Sequence, residues 1–128
     1  MWRELRWRRT WLALGALWLF VMLVVCLMPQ RPGQSVAGLD KAQHFLSWAL
    51  VTVWWASLLE RRAYAWLAAA MLAFGIGIEF AQDWMALGRQ ADWRDVVANA
   101  CGVAGGLVAA AVNRGGWFAL VERWLPAT

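Results

Sequence analysis

The stretch Gly75-Ile-Gly-Ile-Glu-Phe-Ala-Gln-Asp-Trp-Met-Ala-Leu-Gly-Arg-Gln-Ala-Asp-Trp-Arg-Asp-Val-Val-Ala-Asn99 decides how the rest of the chain is read. It starts inside an apolar run and passes through Glu79, Gln82 and Asp83. It breaks at Gly88 and re-enters apolar sequence through Asp92, Asp95 and Asn99. Ionisable groups set into hydrophobic sequence are expensive to bury, so they read first as functional.

The composition around this stretch is that of a membrane protein. Of 128 residues, 62% are hydrophobic and only 16% charged, with mean hydropathy +0.49; a soluble domain carries about 25% charged residues. The apolar runs approach the roughly 20 residues that span a bilayer. We expect one all-α polytopic bundle over residues 1–128. It has four transmembrane helices, at about 11–28, 42–59, 63–87 and 93–112, and a short amphipathic interfacial helix at 117–125. Met1 to Thr10 resembles the start of a signal peptide, but MPQRPG follows the apolar core in place of a cleavage site, so the segment reads as a retained anchor. Cys26 and Cys101 have no redox or metal spacing and read as buried thiols.

Orientation follows from the basic residues. With the N-terminus cytoplasmic, Arg3, Arg6, Arg8, Arg9, Arg61, Arg62, Arg114 and Arg123 lie inside. Arg31, Lys41, Arg89 and Arg94 lie outside. Eight of the 12 basic residues inside fits four spans with both termini cytoplasmic. The net charge of +4 therefore reflects topology, not nucleic-acid binding.

This topology gathers the polar residues at one level. Asp40, Lys41 and His44 start the second span, Glu79, Gln82 and Asp83 approach the end of the third, and Asp92, Asp95 and Asn99 start the fourth. At about 1.5 Å per residue, Glu79 lies roughly 24 Å from the cytoplasmic end of its helix, just beneath the outer surface. Asp40 and His44 share a helix face, as do Glu79 and Gln82, and as do Asp92, Asp95 and Asn99. Small residues recur every fourth position, at Ala65, Ala69, Ala73, Gly77 and Ala81 and at Ala98, Gly102, Gly106 and Ala110. This spacing predicts that the third and fourth spans pack together, with Glu79 near Asn99.

Structural readings compete with the functional ones. Asp40 and Asp92 suit helix N-caps, Asp95 suits a first helical turn, and Arg94 suits a snorkelling cation. Glu79 resists such readings, because a carboxylate at that depth must pair with a cation or take up a proton. The tryptophans form an aromatic belt: Trp2, Trp7, Trp11, Trp54, Trp55, Trp66, Trp117 and Trp124 at one surface, Trp84 and Trp93 at the other.

The strings DKAQHF, GIGIEFAQ and GRQADWRDVVANACG resemble the pattern of VanZ-like membrane proteins. That pattern is Asp-Lys-x-x-His-Phe, then Glu-x-x-Gln, an Arg, and Asp-x-x-x-Asn-x-x-Gly. The resemblance covers about Leu39 to Gly106, with Asp40, Lys41, His44, Glu79, Gln82, Arg89, Asp95, Asn99 and Gly102 at the matching positions. It implies a small multi-spanning bacterial inner-membrane protein. The family's namesake is associated with low-level resistance to the glycopeptide teicoplanin.

Three functions fit. The first is binding of an amphiphile in the outer leaflet, a lipid-linked envelope precursor or a lipophilic glycopeptide. Asp40, Lys41, His44, Glu79, Gln82, Arg89, Asp92, Asp95 and Asn99 would form the site, with Lys41 and Arg89 on phosphate or carboxylate. The second is an enzyme acting on a lipid head group, with Glu79 or Asp95 as base and His44 as acid or base. The third is a structural or partner-binding protein locked by its polar cluster. No cofactor or metal is expected, membrane lipids are the expected partners, and oligomerisation is left open.

Overall fold

The computed structural model describes residues 1–28, 39–85, 92–113 and 116–126. The apolar runs form helices, and the described part of the chain contains no strand. They are α1 (Arg8–Leu27), α2 (Leu39–Leu58), α3 (Tyr64–Met85), α4 (Trp93–Val112) and the short α5 (Trp117–Glu122), with a 3-10 turn at Arg61–Ala63 between α2 and α3. Proline falls outside all of them, as it must where every backbone N–H is needed. The expected helix breaks at Pro29 and Gly88 lie outside the described residues.

Three stretches are long and apolar enough to cross a membrane: Arg8–Leu27, Arg61–Met85 and Trp93–Val112. Helix α2 is as long, at 20 residues, but Asp40, Lys41, Gln43 and His44 in its first turns lower its hydropathy. The outward faces are apolar, with Leu17, Phe20, Val25, Phe80 and Val108 all exposed. Exposed apolar side chains on three long helices suit lipid better than water. The architecture is that of a multi-pass membrane protein.

Helix α2 is the central one. Trp48, Val51, Thr52, Ala56, Ser57 and Leu58 are all buried, and α2 packs most intimately with α4. Glycine makes that approach possible. A Cβ on Gly102 would collide with the Phe45 carbonyl oxygen and lie 2.9 Å from the Trp48 Cβ. One on Gly106 would lie 2.5 Å from the Ala49 carbonyl oxygen and 2.8 Å from the Thr52 Cβ. The small residues of α4 thus seat α2, not α3. The matching stripe on α3 faces outward, with Ala65, Ala69, Ala73 and Gly77 exposed and nothing within 4 Å of a Cβ placed on Gly77. Period and residue size alone do not say which neighbour a small face meets, and here the central helix took it. Helices α3 and α4 do touch: a Cβ on Gly75 would lie 3.3 Å from the Asn99 Nδ2.

Long-range bonds fix the helices as an up-and-down bundle with two distinct ends. At one end Arg61 donates to the Ala111 carbonyl oxygen, the Arg3 N–H donates to the Leu58 carbonyl at 2.9 Å, and Trp2 bridges Leu59. Glu122 accepts from the Arg6 and Trp7 N–H groups and the Trp11 indole, each at 2.9 Å. Trp11 stacks on Phe118 with ring centroids 4.5 Å apart, and Trp54 meets both rings edge-on. Several tryptophans expected in a belt are therefore internal packing, whereas Trp66, Trp84, Trp93 and Trp124 are exposed as a belt requires. At the other end the polar residues meet.

Candidate functional site

Helix α4 carries the frame of the site. Its start is set by Asp92, whose side chain caps the helix by accepting from the Arg94 N–H at 2.9 Å. From there Asp95, Asn99, Gly102, Val103, Gly106 and Ala110 form one buried stripe at the spacing of a helix face. The stripe is polar at its mouth and glycine-rich below. The glycines draw α2 close, and closeness brings α2's polar residues onto the carboxylates of α4.

Lys41 is the first contact. Its ammonium donates to Asp92 Oδ2 at 2.8 Å and to Asp95 Oδ1. One helical turn on, His44 Nδ1 lies 2.9 Å from Asn99 Oδ1. Its Nε2 stands 4.0 Å from Asp95 Oδ2, an ion-pair distance when the imidazole is charged. An amide oxygen only accepts, so this contact is a hydrogen bond in the tautomer that carries its proton on Nδ1.

Helix α3 completes the layer. Glu79 is 5% exposed, and its Oε2 accepts from the Asp92 N–H at 3.4 Å. The carboxylate thus lies against the N-terminus of α4, where the helix dipole favours negative charge. Three residues on, the Gln82 side chain donates to the Cys26 carbonyl oxygen at 2.7 Å. That oxygen belongs to the last turn of α1, where carbonyls lack an intrahelical partner. All four long helices are therefore joined through one polar layer.

The structure brings together Lys41, His44, Glu79, Asp92, Asp95 and Asn99, with Gln82 at the edge. Glu79, Gln82, Asp95 and Asn99 are buried, while Lys41 and Asp92 are about one-third exposed at the mouth. Arg89 and the side chain of Asp40 lie outside the described residues. Helix α2 starts at Leu39, so Asp40 falls in its first turn. Asp83 is exposed and Arg94 stands over the Trp93 ring at 5.9 Å. The Asp92 carboxyl is held below its usual range by the Lys41 ammonium and then by the Arg94 N–H.

Chemically, the described layer offers three carboxylates, one ammonium, one imidazole and two amides. His44 stands between Asp95 and Asn99. No group of three or more His, Cys, Asp or Glu among the described residues has metal-binding geometry. The two cavities described lie at the opposite end.

Two roles escaped the sequence reading. Glu122 was an ordinary interfacial charge there, yet it accepts three N–H bonds. A lone acid in a short apolar helix, in a chain with an Arg-rich beginning, was the available signal. Gln82 ties α1 to α3, which no spacing rule shows. No protein-family model, curated protein or solved structure matches the chain.

Proposed function

We propose that this chain is a VanZ-like inner-membrane protein whose polar layer binds the head group of an amphiphile in the outer leaflet. The ligand class is a lipid-linked envelope precursor or a lipophilic glycopeptide. The observation that carries this reading is the burial of Glu79, Asp95 and Asn99 at one end of an otherwise apolar bundle. Burying such groups opposes folding unless each is paired. The contact of α2 with α4 does not require them, because Gly102 and Gly106 already seat α2 on α4 below the layer.

The pairing refines what the site would recognise. Lys41 is engaged by Asp92 and Asp95, so the described residues present acceptors and a net negative charge rather than an anion trap. Hydroxyl, amide and amino groups of a sugar or peptide head group are the complementary chemistry. The mouth, where Lys41 and Asp92 are partly exposed, is the place of entry.

The reading includes four crossings with both termini cytoplasmic. Glu122 is 2.9 Å from the Trp7 nitrogen, so the start of α1 and the helix after α4 share one end. An even number of crossings satisfies this contact, and the excess of arginine at that end supports placing it on the cytoplasmic side. A structural lock is the second reading, favoured by the Gln82 bond to α1 and the double engagement of Lys41.

The test is untargeted lipid mass spectrometry on wild type and Glu79→Gln, each incubated in nanodiscs with a bacterial lipid extract. A species retained by wild type and lost by the variant supports binding and names the ligand. A species consumed, with a product the variant fails to make, replaces binding with catalysis. If both proteins fold alike and neither retains nor converts anything, the layer is a lock.

A further inference from the structure

Helix α1 opens with two arginines, Arg8 and Arg9, and has no acid in its first turn. At 20 residues and about 1.5 Å per residue, it is as long as a hydrocarbon core of about 30 Å is thick. Its first turn therefore lies where hydrocarbon meets head groups. There the chain from Glu4 to Thr10 curls around a cavity of about 520 Å³, a volume inside the range of roughly 300–1,000 Å³ typical of ligand sites.

The donors just before the helix are engaged. The Arg6 and Trp7 N–H groups bond Glu122, and the Arg6 guanidinium donates to the Glu122 and Leu125 carbonyl oxygens at 2.7 and 3.0 Å. The Arg8 N–H bonds the Leu5 carbonyl and the Trp11 N–H bonds the Trp7 carbonyl. Between them, the Arg9 and Thr10 N–H groups have no partner among the described residues. First-turn donors stay open in this way unless capped, and Trp7 at the cap position supplies no side-chain bond. The Arg8 and Arg9 side chains are exposed and make no hydrogen bond or ion pair among the described residues. Glu4 is the acid of the walls, and no ion pair among the described residues joins it to either arginine.

A helix start alone attracts anions weakly. Here two unpaired guanidinium groups and a concavity of ligand size coincide with it, and guanidinium forks match phosphate through parallel N–H bonds. We propose that this cavity binds a phosphate group, held by the Arg8 and Arg9 side chains and by the Arg9 and Thr10 N–H groups. The phosphate belongs to a phospholipid head group of the adjoining leaflet or to a soluble phosphate ester. The site does not depend on the polar layer, on its ligand, or on which side of the membrane it faces.

The full chain in dodecyl maltoside, stripped of lipid and in phosphate-free buffer, tests this through the amide NMR signals of Arg9 and Thr10. Dioleoyl phosphatidylglycerol and inorganic phosphate are added separately at constant ionic strength. Both amide protons should move downfield, as N–H groups do on bonding an anion. A response to phosphatidylglycerol alone assigns the lipid, and a response to inorganic phosphate assigns the soluble source. Arg8→Gln and Arg9→Gln remove side chains without a partner among the described residues, so the bundle should keep its fold. Each should weaken the responding probe about fivefold, the effect of one basic residue near an anionic head group. Arg123→Gln removes an exposed arginine at the same end that does not line the cavity, and should leave the affinity unchanged. Amide signals that stay in place with both probes overturn the proposal. So does an Arg123→Gln loss equal to that of Arg9→Gln, because charge spread over the whole surface would then account for binding.

Discussion

Gly102 and Gly77 are the same residue in opposite circumstances. A methyl group on Gly102 meets the Phe45 backbone oxygen, which cannot rotate away. Gly102→Ala should destabilise the bundle by about 1–3 kcal/mol, the range for overpacking a close contact, despite alanine's better helix propensity. Gly77→Ala meets nothing within 4 Å and should stabilise by up to about 1 kcal/mol through propensity alone. Unfolding of both variants in the same detergent compares them directly, and equal effects would refute the packing described. Lys41 makes a second case. Its removal in Lys41→Met leaves the buried Asp95 carboxylate without its cation, a class of change worth about 3–5 kcal/mol. Adding Asp95→Asn should recover part of the loss, because no buried charge is then stranded. A double-mutant cycle that shows strict additivity would disprove the coupling.

Helix α5 is only six residues long, too short to hold itself together. It is held by Phe118, buried against Trp11 and Trp54, and by Glu122 on the N-terminal segment. Partial burial pushes the Glu122 carboxyl up, but the Trp7 N–H, the Trp11 indole and the Arg6 N–H together hold it below its ordinary 4.5. A lowered folded-state pKa means stability that is complete above the ordinary value. It is lost as the pH falls through the folded one. Hydrogen exchange at the Trp7 amide, corrected for intrinsic rate, should therefore accelerate as the pH drops below about 4.5. In Glu122→Gln that step should vanish, with exchange already fast at neutral pH. An unchanged step in the variant would assign the titration to another group. How much of this was readable in advance differs by element. The four long helices follow from apolar runs punctuated by Pro29, Asp40, Glu60 and Asp92, because helix formation there is a local matter. The polar layer was readable too, since Lys41, His44, Glu79, Asp95 and Asn99 sit at helical spacings near matching helix ends. Partner choice was not. Whether Gly102 faces α2 or α3, and whether Glu122 faces water or Trp7, depends on helix rotation, which contacts distant in sequence decide.

For the molecule as a whole, the number of crossings decides everything else about sidedness. Four crossings return α5 to the side where α1 starts, and three do not. On the proposed four crossings with both termini cytoplasmic, green fluorescent protein fused after Thr128 should fluoresce, and alkaline phosphatase fused there should be inactive. Truncation after Gln34 with the same reporters should give the reverse. Active phosphatase at both sites would overturn the four-span arrangement, and the orientation of the polar layer with it.

The bonds from Trp7 and Trp11 to Glu122 have a further consequence, for the order of assembly. Their donors lie 115 and 111 residues before their acceptor. During synthesis the Arg-rich start of α1 emerges long before the carboxylate that will receive its N–H groups exists. Until α4 has been inserted and α5 has left the ribosome, those donors face water and lipid head groups. The contact that joins the two extremes of the fold is therefore among the last to close, and it closes only on a chain whose intervening helices are all in place.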